Sequence, residues 1–397
     1  MLIRMMETFG LSNQTTMSSA QVLGQLISFD TTSCNSNFHL IEFIEAFLRD
    51  HGIAAVRAVY APGKTNLVAS IGPAIDGGIV LSGHTDTVPV TGQTWATDPF
   101  TMTDVDGVLF GRGTCDMKGF LACCLAAVPQ LKARNLSRPV HLVFSCDEEV
   151  SCEGVLPAIR RFGHDMPKPS ICIVGEPTMM DVVTGQKACQ AFLTTITGVE
   201  AHSSKPHLGW SALNEAVLLT SEINLIAQEM RDKVDGNCPF DPAFTTVHVG
   251  AIHSGTTVNI VPNQAIISWE ARLLPDQDEN EIRDRIAGFA QTRNEIIRAK
   301  FPAAGIETDN YVNVPGLEPE PDGEAKSLAM RLTGSNRTGV VSYGTEAGHF
   351  QAAGMSTVIC GPGSIDQAHK PDEFVATSQL AECDRFLVRL GEELSVS

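Results

Sequence analysis

The sequence predicts an α/β protein, with a mixed, mainly parallel sheet flanked by helices in one domain and a second, α+β domain inserted into it. Two observations predict this class. Several short runs are wholly apolar, as in strands buried on both faces, and each is followed by a polar turn. Between about residues 188 and 300, apolar and polar residues alternate instead, which is typical of a half-exposed antiparallel sheet.

The first part of the chain alternates between predicted helices and buried strands. Apolar residues at helical spacing predict a helix over 39–51 that ends at Gly52, and a second helix, rich in Leu, Ala and Cys, is predicted over 119–133. Short apolar runs predict buried strands at 79–81, 140–145 and 170–174. Sheets of this kind bind ligands beyond the carboxyl ends of their strands, so the residues that follow these strands are candidates for a functional site.

The middle of the chain predicts a domain with two helices on an antiparallel sheet. Alternating strands are predicted at 191–197, 245–251 and 264–272, and helices at 212–231 and 279–298. Buried strands then return at 339–342 and 357–360. We therefore predict one domain from residues 1–187 and 301–397, and an inserted domain from residues 188–300.

Charge and composition narrow the class of protein. The 397-residue chain carries a formal net charge of −18, which argues against binding to nucleic acid or to an anionic membrane surface. No run of about 20 apolar residues predicts a membrane span, and no apolar signal segment begins the chain. The 11 cysteines include no CxxC pair, which favours reduced, buried thiols over a thiolate metal site. These features predict a cytoplasmic protein.

The most informative feature is an ordered series of metal-ligand residue types at the ends of predicted segments. Its members are two imidazoles and several carboxylates: His84, Asp116, Glu148, Glu149, Glu176 and His369. Two zinc-like ions that share a bridging carboxylate would use such a set, with one glutamate left to activate a water. Ordinary alternatives exist: a helix cap for Asp116, a solvated turn for the acids at 147–149 and a surface position for His369.

Local sequence supports three positions in or next to this series. Asp86 lies two residues after His84, on the same face of an extended chain, so its carboxylate could accept the second N–H of the imidazole and orient the ring. Asp116 lies in a glycine-dense loop (GRGTCDMKG), where backbone can pass close to a bound group. Glu176 lies between glycine and proline, in a rigid turn that suits a fixed ligand.

Three polar residues of the predicted insertion are candidates for substrate contacts. Either His202 or His207 could donate a hydrogen bond to a developing oxyanion, and Arg272 could bind a substrate carboxylate through both arms of its guanidinium. Asn259 flanks the same strand as Arg272. A polar surface turn for His202 and a surface salt bridge for Arg272 are the alternatives. The roles of His349 and Glu153 stay open.

Together these motifs resemble the co-catalytic zinc aminoacylase/carboxypeptidase family, over nearly the whole chain from about residue 21 to residue 393. The resemblance implies two Zn²⁺ ions, with Co²⁺ or Mn²⁺ as alternatives. It assigns His84, Asp116 and Glu176 to one ion. It assigns Glu149 and His369, together with the shared Asp116, to the other.

The resemblance also implies roles for residues that do not bind metal. Glu148 would be the general base, and Asp86 would orient His84. The remaining matches are to oxyanion and substrate-carboxylate positions: His202, Asn259 and Arg272. The inserted domain would act as a lid and form a homodimer, in which the oxyanion histidine of one subunit reaches the active site of its partner.

Within the family, three segments resemble the acetylornithine deacetylase branch: 82–89 (SGHTDTVP), 111–120 (GRGTCDMKGF) and 343–350 (YGTEAGHF). This implies removal of the acetyl group from a small N-acetyl amino acid, first of all N2-acetyl-L-ornithine in arginine biosynthesis. An acid such as Glu346 could meet the ornithine ammonium. The rival is another N-acyl-amino-acid hydrolase: a succinyl-diaminopimelate desuccinylase, an aminoacylase or a dipeptidase. An inactive relative is disfavoured, because all expected ligands and Glu148 are present.

Overall fold

The computed structural model describes residues 17–396. Its strands in chain order are β1 (Ala55–Ala61), β2 (Lys64–Ile71), β3 (Gly78–His84), β4 (Thr103–Val105), β5 (Val108–Phe110), β6 (Val140–Ser145), β7 (Pro169–Val174), β8 (Val182–Gln186), β9 (Ala188–Thr197), β10 (Thr246–Ser254), β11 (Gln264–Leu273), β12 (Gly305–Val314), β13 (Thr338–Val341), β14 (Ser356–Ile359) and β15 (Phe374–Ala376). Its α-helices are α1 (Ser19–Ile27), α2 (Phe38–Asp50), α3 (Lys118–Lys132), α4 (Glu148–Ser151), α5 (Leu156–Ile159), α6 (Ala212–Asp232), α7 (Glu281–Arg298), α8 (Glu324–Thr333), α9 (Ala347–Ala352) and α10 (Thr377–Glu393). The helices and strands predicted from the sequence are all present, with ends shifted by a few residues.

The larger sheet has eight strands in the order β1-β2-β6-β3-β7-β14-β8-β13. Its centre is parallel, because β3 pairs in parallel with β6 and with β7, and β14 pairs in parallel with β7. The strands β1 and β2 extend one edge in antiparallel pairing. Helices pack on both faces of the sheet. The predicted mixed, mainly parallel sheet flanked by helices is confirmed.

Strand β3 shows why the centre of this sheet forms. All of its residues are buried. The side chains of Ile79 and Leu81 join the core under α1, α2, α3, α8 and α10, whereas Val80 joins the core under α5 and α9. Successive side chains of a strand point to opposite faces, so a strand covered on both faces is apolar throughout. The metal-ligand candidates therefore begin where this apolar run ends.

The smaller sheet is antiparallel throughout, in the order β10-β11-β9-β12. Alternate side chains such as Phe192, Ile267 and Trp269 are buried under α6 and α7. The rings of Phe192 and Trp269 stack with centroids 4.0 Å apart. Intervening side chains such as Glu270 and Arg272 lie on the opposite face and are partly exposed. The predicted pattern of two helices on an antiparallel sheet is confirmed.

The edge strand β12 lies beyond residue 300, where the sequence placed the end of the insertion. It pairs with β9 from Gly305 to Val314, with a register shift between Asn310 and Val312. This strand is polar and bulged, so it lacks the strict alternation that marks its neighbours. We propose that the second domain extends to residue 314.

A short third sheet, β15-β5-β4, lies beside the larger one. It joins the last part of the chain to the segment before α3, because β15 pairs with β5. Within residues 17–396, none of the helices combines the length and the apolar character needed to cross a membrane.

Candidate metal centre and active site

Parallel pairing brings the candidate ligands to one edge of the larger sheet. His84 is the last residue of β3, Glu149 lies in α4 just after β6, and Glu176 lies two residues after β7. Because β6, β3 and β7 are adjacent and parallel, their carboxyl ends meet. Asp116 arrives from the loop before α3, and His369 from the segment between β14 and β15. All five predicted ligands are thus brought together.

Asp116 lies between the two histidines with one oxygen toward each. His84 Nε2 is 3.1 Å from Asp116 Oδ1, and His369 Nε2 is 3.3 Å from Asp116 Oδ2. On the outer sides, His84 Nε2 is 3.7 Å from Glu176 Oε1, and His369 Nε2 is 3.0 Å from Glu149 Oε2. This is the arrangement expected of a carboxylate that bridges two ions.

The cluster fits a pair of divalent metal ions. Two ligand atoms about 2.0–2.2 Å from one tetrahedral ion are roughly 3.3 Å apart, close to the separations in this cluster. Glu149 Oε1 and Glu176 Oε1 are buried and accept no hydrogen bond from the described residues. A buried carboxylate oxygen without a donor is costly unless a cation neutralises it. The donor set of imidazoles and carboxylates suits zinc, and also cobalt or manganese.

Distance alone does not separate the predicted base, Glu148, from the predicted metal ligands. Ligand atoms of His84, Asp116 and Glu149 lie within 4.8 Å of one another, and so do those of His84, Glu148 and Glu176. Glu148 differs from Glu149 in its contacts: its Oε1 accepts a hydrogen bond from Cys152 Sγ at 3.0 Å, not from a histidine. The division of the set into two ions and a base therefore remains a prediction.

Burial and mutual repulsion govern the charges of the cluster. Burial raises the pKa of Glu148 to about 8 and that of Glu149 to about 7, and it raises the pKa of Glu176 as well. Burial would also raise the pKa of Asp116, but hydrogen bonds to His369 and His84 outweigh it and lower that pKa. Carboxylates gathered in this way favour nearby positive charge.

His84 is oriented by Asp86, but through a different group from the one predicted. The main-chain carbonyl of Asp86 accepts a hydrogen bond from His84 Nδ1 at 2.9 Å, whereas the Asp86 carboxylate is 3.8 Å away. A carbonyl can only accept, so Nδ1 carries the proton and Nε2 is left to face Asp116. The expected carboxylate–imidazole contact is thus replaced by a carbonyl contact.

The Asp86 carboxylate instead holds the segment that carries the base. It accepts the main-chain N–H of Glu148 at 3.2 Å and that of Glu149 at 3.3 Å, and the hydroxyl of Ser33 at 2.7 Å. The first residue of the acidic triplet has a separate partner, because Asp147 forms an ion pair with Lys64 at 2.6 Å. The triplet therefore divides into one structural ion pair and two groups that face the metal centre.

A cavity of about 500 Å³ opens over the cluster. Its opposite wall is the exposed face of the smaller sheet, including Glu270, Arg272 and Tyr311. The register shift in β12 places Tyr311 as an extra residue opposite β9, which aims its ring at the cavity. Arg272 thus lies where a substrate carboxylate could reach it.

His202 and Asn259 do not line this cavity. Both are exposed, on neighbouring segments joined by an isolated bridge between His202 and Ile260. His202 Nδ1 accepts hydrogen bonds from Ser204, at 3.0 Å from its main-chain N–H and 2.8 Å from its hydroxyl. Within one subunit, only Arg272 of the three substrate-contact candidates is brought to the cavity.

Comparison with known proteins agrees with this geometry. Residues 80–393 match the sequence profile of peptidase family M20/M25/M40. The chain belongs to this family. It is 32% identical over 358 residues to the acetylornithine deacetylase of Vibrio campbellii, an alignment that covers 88% of this chain and 89% of that relative. The family resemblance predicted from the motifs is confirmed.

Solved structures of M20 proteins share the fold. The chain matches an M20 family metallo-carboxypeptidase from Sulfolobus solfataricus with a TM-score of 0.75 at 17% identity, over 94% of this chain and 98% of that one. It matches a dinuclear metal-binding M20 peptidase from Bacillus subtilis with a TM-score of 0.62 at 16% identity, over 94% of this chain and 97% of that one. This M20/M25/M40 member is therefore an enzyme, a metal-dependent amidohydrolase.

The sequence did not reveal the residue that supports the Asp116 loop in this M20 enzyme. Glu373 is buried and accepts main-chain N–H groups of Gly113, Cys115 and Asp116 at 2.9–3.0 Å, and its Oε2 accepts a hydrogen bond from Arg112 at 2.7 Å. A signal was present, since an acidic residue follows His369 by four positions. Pattern alone could not show that it reaches across to residues 113–116.

Three other polar residues lie outside the cavity of this M20 enzyme. Glu346 is 1% exposed and its Oε2 accepts a hydrogen bond from Ser82 at 3.3 Å, so the expectation that it meets the substrate ammonium is wrong. His349 lies in α9, and burial lowers its pKa to about 4. Glu153 begins a short 3₁₀ turn after α4. None of the three lines the cavity.

Proposed function

We propose that this chain removes the acetyl group from an N-acetyl amino acid, with N2-acetyl-L-ornithine as its substrate and L-ornithine and acetate as products. The observation that supports amide hydrolysis is that Asp116 directs one oxygen toward each of two imidazoles. Beside it lies Glu148, whose side chain accepts a hydrogen bond from Cys152. The choice of the acetyl substrate rests on similarity to the Vibrio campbellii enzyme. It would place the enzyme in arginine biosynthesis.

We propose that two Zn²⁺ ions occupy the cluster, one held by His84 and Glu176, the other by Glu149 and His369, with Asp116 between them. When bound, such ions supply Lewis acidity that acidifies water and polarises a carbonyl. His84 is prepared for this role, since its Nδ1 proton is fixed by the carbonyl of Asp86. The dinuclear site of the Bacillus subtilis M20 peptidase supports the number of ions.

Glu148 is the proposed proton carrier. It takes a proton from the attacking water and later delivers it to the leaving α-amine. Burial raises its pKa to about 8, and a base whose pKa is close to neutral can both accept and release a proton at neutral pH. The Asp86 carboxylate positions it by accepting its main-chain N–H.

Arg272 is the proposed anchor for the α-carboxylate, from the opposite wall of the cavity. We propose that His202 stabilises the oxyanion in the active site of a partner subunit, because it lies exposed and outside the cavity of its own chain. An apolar face on α6 supports a homodimer through this domain: Leu213, Val217, Leu218 and Leu225 are each 39–56% exposed.

The predicted cytoplasmic location remains a proposal. It is supported by the cysteines, since all eleven are free and nine of them are buried. Free thiols persist in reducing compartments and pair in oxidising ones.

The proposed function is tested with metal-depleted enzyme and a panel of N-acyl amino acids. We expect no hydrolysis after chelation, recovery with Zn²⁺ or Co²⁺, and N-acetyl-L-ornithine cleaved better than N-succinyl-diaminopimelate. Glu148→Gln should lower kcat by about 10³-fold or more while metal content stays near that of wild type. Full activity in excess chelator would refute the metal mechanism, and a tenfold preference for the succinylated substrate would refute the choice of substrate.

A further inference from the structure

We propose that Glu270 selects substrates with a cationic side chain, pairing with the side-chain ammonium while Arg272 binds the α-carboxylate. This inference rests on the proposed function, because it assigns the substrate class of the same site. Glu270 and Arg272 both line the cavity, on the wall that faces the metal centre.

The carboxylates of the cavity divide into two groups. Four belong to the cluster around the histidines: Asp116, Glu148, Glu149 and Glu176. The fifth, Glu270, lies on β11 in the smaller sheet, across the cavity from them. The four cluster carboxylates already have proposed roles in metal binding and proton transfer. Glu270 has no such role, so it is the carboxylate of this cavity that is available to bind a substrate.

Strand β11 fixes how Glu270 and Arg272 face the cavity. Residues two apart on a strand project from the same face, and Ala271 between them is buried under the helices of the second domain. Arg272 Nη2 donates to Glu270 Oε2 at 3.0 Å. The two side chains are 32% and 37% exposed, so they are partly shielded from water but can be reached from the cavity.

Each member of this pair retains capacity for a second partner. Within residues 17–396, neither side chain makes a side-chain hydrogen bond other than the one between them. A guanidinium has five N–H donors and a carboxylate has two oxygens, so the pair can persist while each binds a further group. Arg272 can accept a carboxylate on its remaining donors, and Glu270 can accept an ammonium on its other oxygen.

Charge complementarity then orders the substrates. An N-acetyl amino acid with a basic side chain brings a carboxylate for Arg272 and an ammonium for Glu270, so each charge has an opposite neighbour. A substrate with a neutral side chain offers no charge to Glu270, which then keeps Arg272 as its only charged partner. An acidic side chain places a second carboxylate beside Glu270, where like charges repel in a partly dry site. The expected order is basic, then neutral, then acidic.

The test compares N-acetyl-L-ornithine with N-acetyl-L-norleucine, which has a neutral side chain of similar length, on metal-loaded wild type and on Glu270→Gln. We expect the ratio of kcat/KM values, ornithine over norleucine, to fall roughly 10- to 100-fold, the effect of one charged hydrogen bond. N-acetyl-L-glutamate should gain relative to both. An equal loss on all three substrates would overturn the proposal, because Glu270 would then only orient Arg272.

Glu307→Gln is the matched control. Glu307 lies opposite Thr195 on the same face of the smaller sheet, is exposed, and does not line the cavity. Its substitution removes one negative charge from that face without touching the cavity wall. We expect the ornithine-to-norleucine ratio of this variant to equal that of wild type. A matching fall in this control would attribute the effect to the net charge of the domain and would overturn the assignment to Glu270.

A binding measurement separates this proposal from the proposed function. If wild type hydrolysed none of the three substrates, the deacetylase function would fail. Calorimetry with the amino acids L-ornithine and L-norleucine would still test the selection of charge. Weaker binding of L-ornithine to Glu270→Gln, with a smaller change for L-norleucine, would support the role of Glu270. Equal changes for both amino acids would overturn it.

Discussion

At the scale of single residues, two acids outside the predicted ligand set hold members of that set in place. Asp86 joins the His84 ring to the main chain of Glu148 and Glu149, and Glu373 holds the loop that ends in Asp116. Substituting a group that holds a metal ligand in place typically lowers metal affinity or activity about 10- to 100-fold. Both acids are therefore targets for substitution.

Glu373→Gln should weaken metal binding. The amide keeps only one oxygen that can accept a hydrogen bond. Its NH₂ group would face main-chain N–H groups that now donate to the second carboxylate oxygen. Because two donors cannot pair, the Asp116 loop must shift. We expect zinc affinity to fall about 10- to 100-fold. Competition with a chromophoric chelator measures it, and Glu318→Gln, at an exposed position, is the control. Unchanged affinity in Glu373→Gln would mean that the loop is held without this residue.

The sequence could predict which residues gather in the cluster, because residue type and position at strand ends are local properties. His84 at the end of an apolar run is an example. The contacts of Glu373 and Glu346 could not be predicted, because they depend on approaches between segments more than 250 positions apart in the chain. Pattern shows that an acid is present, but not whether its environment is the cavity or the core.

At the scale of elements, the helices and strands with a regular hydrophobic pattern were the ones that the sequence predicted. The wholly apolar strands and the long amphipathic helices α6 and α7 were predicted close to their observed bounds. The polar, bulged β12 was not predicted, because its register shift breaks the alternation on which the prediction depends. That same irregularity aims Tyr311 at the cavity. The element that was hardest to predict therefore supplies part of the substrate wall.

Strand β6 carries a histidine that should make stability depend on pH. Burial lowers the pKa of His141 to about 4, against about 6.5 in an unfolded chain. Between these values the unfolded state binds a proton at this position that the folded state does not. Lowering the pH from about 6.5 to 4 should therefore reduce the free energy of unfolding, by at most about 3 kcal/mol from this group.

Denaturation curves over this pH range test the role of His141. His141→Gln should show a shallower fall in the free energy of unfolding than wild type, whatever its stability at neutral pH. His164→Gln, at a side chain that is 85% exposed, is the matched control and should follow wild type. If the free energy of unfolding fell equally steeply with pH in wild type and in His141→Gln, another group would be responsible for the loss of stability in acid.

At the scale of the whole molecule, we predict that His202 of one subunit completes the active site of the other in the proposed homodimer. His202→Ala should lower kcat much more than it raises KM, because an oxyanion contact acts in the transition state. Arg272→Ala should mainly raise KM, because the α-carboxylate is held in both states. Steady-state kinetics on the two variants measures the difference.

Mixing two inactive variants tests the exchange between subunits. After subunit exchange between Glu148→Gln and His202→Ala, a mixed dimer has one active site with an intact Glu148 from one chain and an intact His202 from the other. Random pairing should restore about a quarter of wild-type activity. Each variant mixed with itself is the control. If activity stays at the control level although mixed dimers are present by mass, His202 does not act across the interface.

The hydrogen bonds from the Asp116 loop to Glu373 also determine when the site can form during protein synthesis. The two residues are 257 positions apart. At roughly 5–20 residues per second, a ribosome needs about 13–50 s to travel between them. Once β7 has been translated, the nascent chain contains Asp116 and all three strand ends, but neither Glu373 nor His369. The newly made enzyme would thus remain inert until translation has passed residue 373, which delays metal capture until the residues proposed to hold the ions are all present.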